Sequence, residues 1–385
     1  MGFTQLREDL CLFVLFIDGL LVAIAALYVD DLIAGFDTEE RAEWFERHFD
    51  ARFRTKKIGL PSNVLGLKIL WETIPGELYF KSVKIVNIKS INQLLIEHDM
   101  EQCTPVALPY NDSTRLGKSQ CPDDDTRADV ACQTMQKEYR RLVGTLLWIY
   151  TTVRVDLAYI MLILCSFVAN PGFEHYKAAI WVLRYLAGTK EKGITYSLGK
   201  DLHLDGYVDA DHASHEERRS IYCFIFTLAG GVISWKNGFE TRFTLSTAES
   251  EIRAVYALRE AIKHCLYLKK VFQALSLPGV ANEATIAMSE LPQRIYEDNA
   301  AAIRYSLNAS SNSAMKYLET DLYWIHDSIK RKEFVLIKCK GILEQLADIG
   351  TKQFKAVAFI PLRDRVFDVV PPEEEISGSD QKTKG

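Results

Sequence analysis

The sequence predicts a mixed α/β fold, and three patterns carry that reading. Residues 202–245 alternate apolar and polar positions in short runs broken by turn residues, which marks consecutive strands. A helical stripe follows over 247–274, then a strand, two helices and a last strand between 293 and 339. Strands first and helices after make a mixed α/β unit rather than a bundle. At the other end of the chain, two apolar runs meet at Asp18-Gly19, a strong hairpin signal.

In chain order, residues 10–32 are the most hydrophobic stretch and are long enough to cross a bilayer. The central Asp-Gly pair and the acids of Tyr28-Val-Asp-Asp favour buried hairpin strands instead, so no membrane association is expected. Residues 1–9 carry mixed charge and no cleavage pattern, so no signal peptide is expected either. A helix is read over 39–49, strands near 64–71 and 77–80, and a helix around 91–98. Residues 103–131 are rich in Pro, Asp, Ser and Thr without apolar periodicity, which suits a linker. Tyr139-Arg-Arg-Leu-Val-Gly-Thr-Leu-Leu opens a helical region ending near Thr189. Within it, the helix-start His175 reads as structural, and Trp181, Leu183 and Tyr185 as packing. Strands are then expected near 202–210, 220–228, 232–235 and 241–245, with Gly230-Gly as the second turn. Helix 247–274, strand 293–297, helices 299–307 and 315–331 and strand 333–339 follow. The tail 371–385 lacks core residues and reads as disordered.

Composition narrows the function classes. A chain of 385 residues, 48% apolar and 25% charged, is ordinary globular protein with room for two or three domains. Its net charge of −5 excludes a strongly basic nucleic-acid binder, leaving only local patches. Those are Arg52, Arg54, Lys56 and Lys57; Lys137, Arg140 and Arg141; Arg218 and Arg219; and Lys330, Arg331 and Lys332. The eight cysteines show no paired Cys-x-x-Cys spacing, which argues for reduced residues of an intracellular protein and against a zinc site.

Chemistry is concentrated in four acids placed where elements end. Alternation along 202–211 puts Leu202, Leu204, Val208 and Ala210 on one face and Tyr207, Asp209 and Asp211 on the other. Aspartate is a poor strand former and a costly charge to bury, so a strand ending in acids needs compensation. Glu251 opens the long helix, Asp298 closes a short strand, and Asp348 lies in Leu346-Ala-Asp-Ile. The helix stripe runs Val255, Leu258, Ile262, Cys265, and Glu251 falls on it one turn earlier, aimed at the sheet. Glu249 falls off the stripe and completes a capping box with Ser246.

Six motifs occur in order: Tyr207-Val-Asp-Ala-Asp, Arg218-Arg-Ser, Gly230-Gly-Val-Ile-Ser-Trp-Lys, Leu245-Ser-Thr-Ala-Glu-Ser-Glu, Glu297-Asp-Asn-Ala-Ala-Ala-Ile and Ala347-Asp-Ile-Gly-Thr-Lys. Together they resemble the ribonuclease H domain of a copia-type retrotransposon Pol polyprotein. Upstream, Tyr28-Val-Asp-Asp, Lys57-Ile-Gly-Leu and Val64-Leu-Gly-Leu-Lys-Ile resemble the catalytic hairpin of its reverse transcriptase palm and the segment after it. The resemblance implies a partial palm and thumb-side segment over 1–102, a linker over 103–135 and a helical connection over 136–198. It further implies a ribonuclease H-like domain over 199–366, with a mixed five-stranded sheet and flanking helices, before the tail 367–385.

The resemblance also implies that Asp209, Glu251, Asp298 and Asp348 hold two Mg²⁺ or Mn²⁺ ions. Clustered carboxylates repel unless cations neutralise them, and hard oxygen ligands suit these metals. Two ions roughly 4 Å apart activate a water and stabilise the leaving oxygen of a phosphodiester. Arg218, Arg219, Ser220, Asn299 and Lys352 fall at nucleic-acid-contacting positions, and RNA–DNA hybrid is the implied substrate. Asp30 and Asp31 would be a vestigial polymerase metal site, since the strand with the third carboxylate and the fingers lie upstream of these residues. A fuller reverse transcriptase subunit is an implied partner, and a cytoplasmic virus-like particle or the nucleus the implied location.

The chain departs from the family pattern at several places. Lys316-Tyr317 and Tyr323 stand where the family has paired histidines, Val153-Arg-Val-Asp156 replaces Thr-Arg-Pro-Asp, Glu240 replaces Gln, and Gly350 replaces an aromatic. These changes motivate a second reading, a non-catalytic remnant that binds nucleic acid or a polymerase subunit. Glu240 is expected to weaken hybrid binding by adding negative charge near the phosphate-binding face.

Overall fold

Two tight turns fold the apolar N-terminus into an antiparallel meander. Strands β1 (Thr4–Gln5), β2 (Leu12–Ile17), β3 (Leu20–Tyr28) and β4 (Asp31–Phe36) pair in that order. Asp18 and Gly19 have φ of 53° and 80°, the left-handed values that a two-residue hairpin turn requires. The stretch 10–32 is therefore strand, and no helix among the described residues is long and apolar enough to cross a membrane. The computed structural model describes residues 1–56, 58–75, 80–111, 113, 115–200, 203–211, 220–240, 249–275, 293–308, 319–339 and 344–369, with the side chains of 249–253, 308 and 319 excepted. Helix α1 (Glu39–Asp50) starts at Thr38, whose hydroxyl accepts the Arg41 N–H, and packs Phe45 on the rings of Phe3 and Phe36.

A second antiparallel sheet joins β5 (Asn63–Val64), β6 (Leu67–Thr73), β7 (Phe80–Val86) and β8 (Ile194–Ser197). The strand read near 77–80 thus runs from Phe80 to Val86, because its partner β8 is supplied from far downstream, with Ile85 opposite Ile194. Helix α2 (Ile88–Glu97) buries Ile91, Leu94 and Leu95.

Residues 103–131 are largely irregular, as read, yet they are anchored. They carry the short helix α3 (Asp124–Ala128) and bury Tyr110 and Leu116. The Tyr110 hydroxyl donates to the Phe354 carbonyl at 3.2 Å and accepts the Phe354 N–H at 2.7 Å. The helical region comprises α4 (Val130–Thr152), α5 (Ala158–Ser166) and α6 (Phe173–Ala187). His175 is buried there, its Nδ1 accepts the Gly172 N–H at 2.9 Å, and its ring stacks on Phe167. Leu183 and Tyr185 are fully buried, and Trp181 donates to the Leu108 carbonyl, so all three are packing residues.

The third sheet is mixed and five-stranded. It contains β9 (Asp205–Asp211), β10 (Ile221–Leu228), β11 (Gly231–Phe239), β12 (Gln293–Glu297) and β13 (Phe334–Lys338), in the order β11-β10-β9-β12-β13. Strand β9 is antiparallel to β10 but parallel to β12, and β12 is parallel to β13. Asp205 and Arg294 lie opposite each other and form two hydrogen bonds of 2.6 and 2.8 Å, which pin the register of β9 against β12. One nine-residue strand, β11, replaces the short one read at 232–235, and 241–245 lies outside the described residues. Helices α7 (Glu249–Leu275), α8 (Ala300–Asn308), α9 (Glu319–Lys330) and α10 (Ala356–Phe367) complete the fold, with α7 on β9 and β10, and α8 and α9 on α7 and β13.

The sheet separates two cores. Val208 and Ile295 pack with Val255, Leu258, Ile262 and Cys265 of α7 and Ile325 of α9. Tyr207, Cys223 and Tyr296 face the other way, into the core of α4, α5, α6 and the 3-10 turn Leu346–Gly350. The five-stranded sheet thus packs on α4, α5 and α6, and that packing carries the turn up to the sheet.

Candidate metal centre

Strand alternation brings the first acid to the second core's side. Asp209 follows Tyr207 by two residues, so both face the 3-10 turn, and Asp209 is 3% exposed at the end of β9. Asp298 directly follows β12, the parallel neighbour of β9, and is exposed at the strand's end. Asp348 is 2% exposed within Leu346–Gly350, where the Gln345 side chain caps the turn and also donates to the Val208 carbonyl at 2.8 Å. Beneath them, the rings of Tyr207 and Tyr296 stack at 4.9 Å and give the two strand ends a rigid floor.

One carboxylate oxygen from each of Asp209, Asp298 and Asp348 lies within 4.8 Å of the other two, and among the described residues no other set of three such side chains converges this way. Charge at this spacing is costly. Burial, with the Asp209 charge in support, holds the Asp348 carboxyl up at about 7, against the opposing pull of Lys352. Asp298 is raised too, although part of the residue reaches solvent, first by the protein packed around its carboxyl and then by Asp209. The Lys352 ammonium answers that charge, 2.6 Å from Asp348 Oδ1 and 3.4 Å from Asp209 Oδ1. Burial pulls the ammonium down, but the charges of Asp209 and Asp348 outweigh it and hold it above its ordinary value. The Thr351 hydroxyl donates to Asp209 Oδ2. Three hard oxygen donors converging on a point already held by a cation fit Mg²⁺ or Mn²⁺ and do not resemble a zinc set.

Both carboxyls sit above their unfolded values, which fixes a sign. Stability from neutral Asp348 is full below its unfolded value of 3.8 and is lost as pH rises through about 7. In EDTA, the melting temperature of the parent minus that of Asp348→Asn should therefore fall across that window. A difference that is flat or rising contradicts the assigned charge crowding.

The remaining candidate residues divide. Glu251 lies in the first turn of α7, and its side chain is outside the described residues; the stripe it continues, Val255 to Cys265, is fully buried. Ser246 of the proposed capping box is also outside them, as are Arg218 and Arg219. Ser220 is buried at the entrance to β10, where its carbonyl accepts the Glu240 N–H. Asn299 Oδ1 accepts the N–H groups of Ala301 and Ala302, capping α8. Asp30 and Asp31 are exposed at the β3–β4 turn and belong to no cluster of acids among the described residues. The arginines of two basic patches are engaged locally: Arg140 donates to the carbonyls of Val168 and Ala169, Arg141 pairs with Glu97 and Glu138, and Arg331 pairs with Asp327 and Glu333.

Two features escaped the sequence. Thr351 joins the site only through tertiary contact. Glu297 is 1% exposed beside the cluster, and burial holds its carboxyl well above the usual range. Glu240, expected near the phosphate-binding face, is itself buried. Gly350 has a steric reason: a Cβ there would lie 2.5 Å from Cys223 Sγ, leaving no room for the family's aromatic.

No family model matches the chain. It is 30% identical over 331 residues to the retrovirus-related Pol polyprotein from transposon TNT 1-94 of Nicotiana tabacum, covering 86% of this chain and 23% of that protein. Two Arabidopsis thaliana Pol polyproteins match 97% of the chain, transposon RE2 at 29% identity and RE1 at 28%, over 24% and 23% of their own lengths. The chain therefore spans under a quarter of each relative. The chain is thus similar, over nearly its whole length, to a segment of the Pol polyproteins of copia-type retrotransposons.

Proposed function

We propose that the chain hydrolyses the RNA strand of RNA–DNA hybrids with two Mg²⁺ or Mn²⁺ ions. The observation that carries this reading is the convergence of Asp209, Asp298 and Asp348 within 4.8 Å at the ends of two parallel strands and on a packed turn. The ions, when bound, supply charge neutralisation and a more acidic water. The residues that would hold them are Asp209 from β9, Asp298 after β12, Asp348 from the turn and Glu251 from α7. A 2′-hydroxyl distinguishes the RNA strand, while the DNA strand is recognised by shape and backbone. Arg218, Arg219, Ser220, Asn299 and Lys352 are the proposed contacts to the hybrid.

The test is cleavage of a labelled hybrid and of duplex DNA by the parent and by Glu251→Gln. The expected result is Mg²⁺-dependent loss of the RNA strand by the parent alone, with duplex DNA left intact. Parent protein that binds hybrid and never cuts it with Mg²⁺ or Mn²⁺ overturns the reading.

A second reading, a module that docks on a fuller reverse transcriptase subunit, has one observation in its favour. The N-terminal meander exposes Phe16, Ile17, Leu20, Leu27, Tyr28 and Val29, an apolar set of the kind interfaces cover.

A further inference from the structure

We infer that Lys352 is a built-in counter-ion of the carboxylate centre, which the divalent cation must displace in order to bind. The inference rests on the nuclease reading of the site and adds a control on metal loading to it. Its basis is position. Lys352 Nζ reaches Asp348 Oδ1 at 2.6 Å and Asp209 Oδ1 at 3.4 Å, bridging two of the three acids assigned to the metal. The backbone holds it there, because Lys352 is the second residue after the 3-10 turn and its N–H donates to the Asp348 carbonyl at 3.1 Å. Thr351, one residue earlier, gives its hydroxyl to Asp209 Oδ2. Two successive residues therefore occupy the oxygens of Asp209.

The same geometry leaves the ammonium an exit. The Lys352 side chain is 30% exposed, whereas those of Asp209 and Asp348 are 4% and 3% exposed. A flexible four-carbon stem at the rim can swing outward while the carboxylates stay fixed in the core. A cation about 2.1 Å from those oxygens and an ammonium bridging the same pair repel each other, so loading one expels the other. Outside the cluster, the freed ammonium stands where a phosphodiester approaches. One residue thus keeps the metal-free centre folded and then turns its charge toward the hybrid.

Mn²⁺ binding, followed by calorimetry and by the electron paramagnetic resonance signal of free Mn²⁺, tests this on the full chain. Lys352→Met should bind Mn²⁺ about ten-fold tighter than the parent, the scale of one charge-assisted hydrogen bond no longer in competition. Its melting temperature in EDTA should fall below the parent's and recover with Mn²⁺. Lys352→Arg keeps the competing charge and should stay near the parent in affinity, which separates competition from damage to the fold. Equal or weaker Mn²⁺ binding by Lys352→Met, in a parent that still cleaves hybrid, overturns this inference and leaves the nuclease reading standing. No Mn²⁺ binding by any of the three proteins overturns both.

Discussion

Replacing Asp209 with Asn should lower hybrid cleavage by about a thousand-fold or more, the scale lost with one preorganised electrostatic group. Asp209 is buried at the end of the central strand β9, and its two oxygens face Thr351 and Lys352. Asparagine keeps the shape and one acceptor oxygen, so β9 and its pairing with β10 should survive; what goes is the negative charge. Metal-free stability should hold or rise, since the crowding that raises Asp348 and Asp298 is partly the work of Asp209. Turnover and melting temperature on the same preparation separate the two effects. An Asp209→Asn protein within about ten-fold of parent turnover would place the chemistry elsewhere.

The largest stability effect should come from a residue far from that chemistry. Arg154→Met is expected to cost about 3–5 kcal/mol, the penalty for breaking a buried ion pair from one side. Arg154 and Asp156 have fully buried side chains, joined by hydrogen bonds of 2.9 and 2.6 Å. Arg154 also donates to the Thr189 carbonyl and hydroxyl at 3.0 and 2.8 Å, and the Tyr185 hydroxyl donates to Asp156 at 2.5 Å. The guanidinium further lies over the rings of Tyr185 and Phe367, tying the start of α5 to the ends of α6 and α10. Methionine leaves Asp156 charged, buried and served by one hydroxyl. The double replacement Arg154→Met with Asp156→Leu removes that orphan and should recover part of the loss. Urea denaturation reads both; a single variant within about 1 kcal/mol of the parent would mean that the pair is not buried in solution.

How legible this was from sequence depended on whether the signal was local. The alternation along β9, the Asp18-Gly19 turn and the α7 stripe from Val255 to Cys265 are short-range patterns, and each element appears where they indicate. Strand β7 was misplaced because Lys81 and Lys84 interrupt its apolar alternation and its partner β8 is remote in sequence. Arg154 and Asp156 stood out in the sequence only as part of a segment that departs from the family pattern, since tertiary packing alone makes them core. Asp209, Asp298 and Asp348 were individually readable as acids at element ends; the ammonium of Lys352 between them was not, because it depends on a turn and a strand brought together by the helical connection. Asn299 shows the opposite limit, a motif residue whose visible work is to cap a helix.

The central claim is that Asp209, Asp298 and Asp348 share a divalent cation, and crystals grown or soaked in Mn²⁺ test it directly by anomalous scattering. The expected result is at least one strong peak in coordinating contact with oxygens of all three acids, with Lys352 Nζ drawn away from Asp348. A map whose peaks all lie beyond coordinating reach of Asp209 and Asp348, with the ammonium still between them, would contradict it.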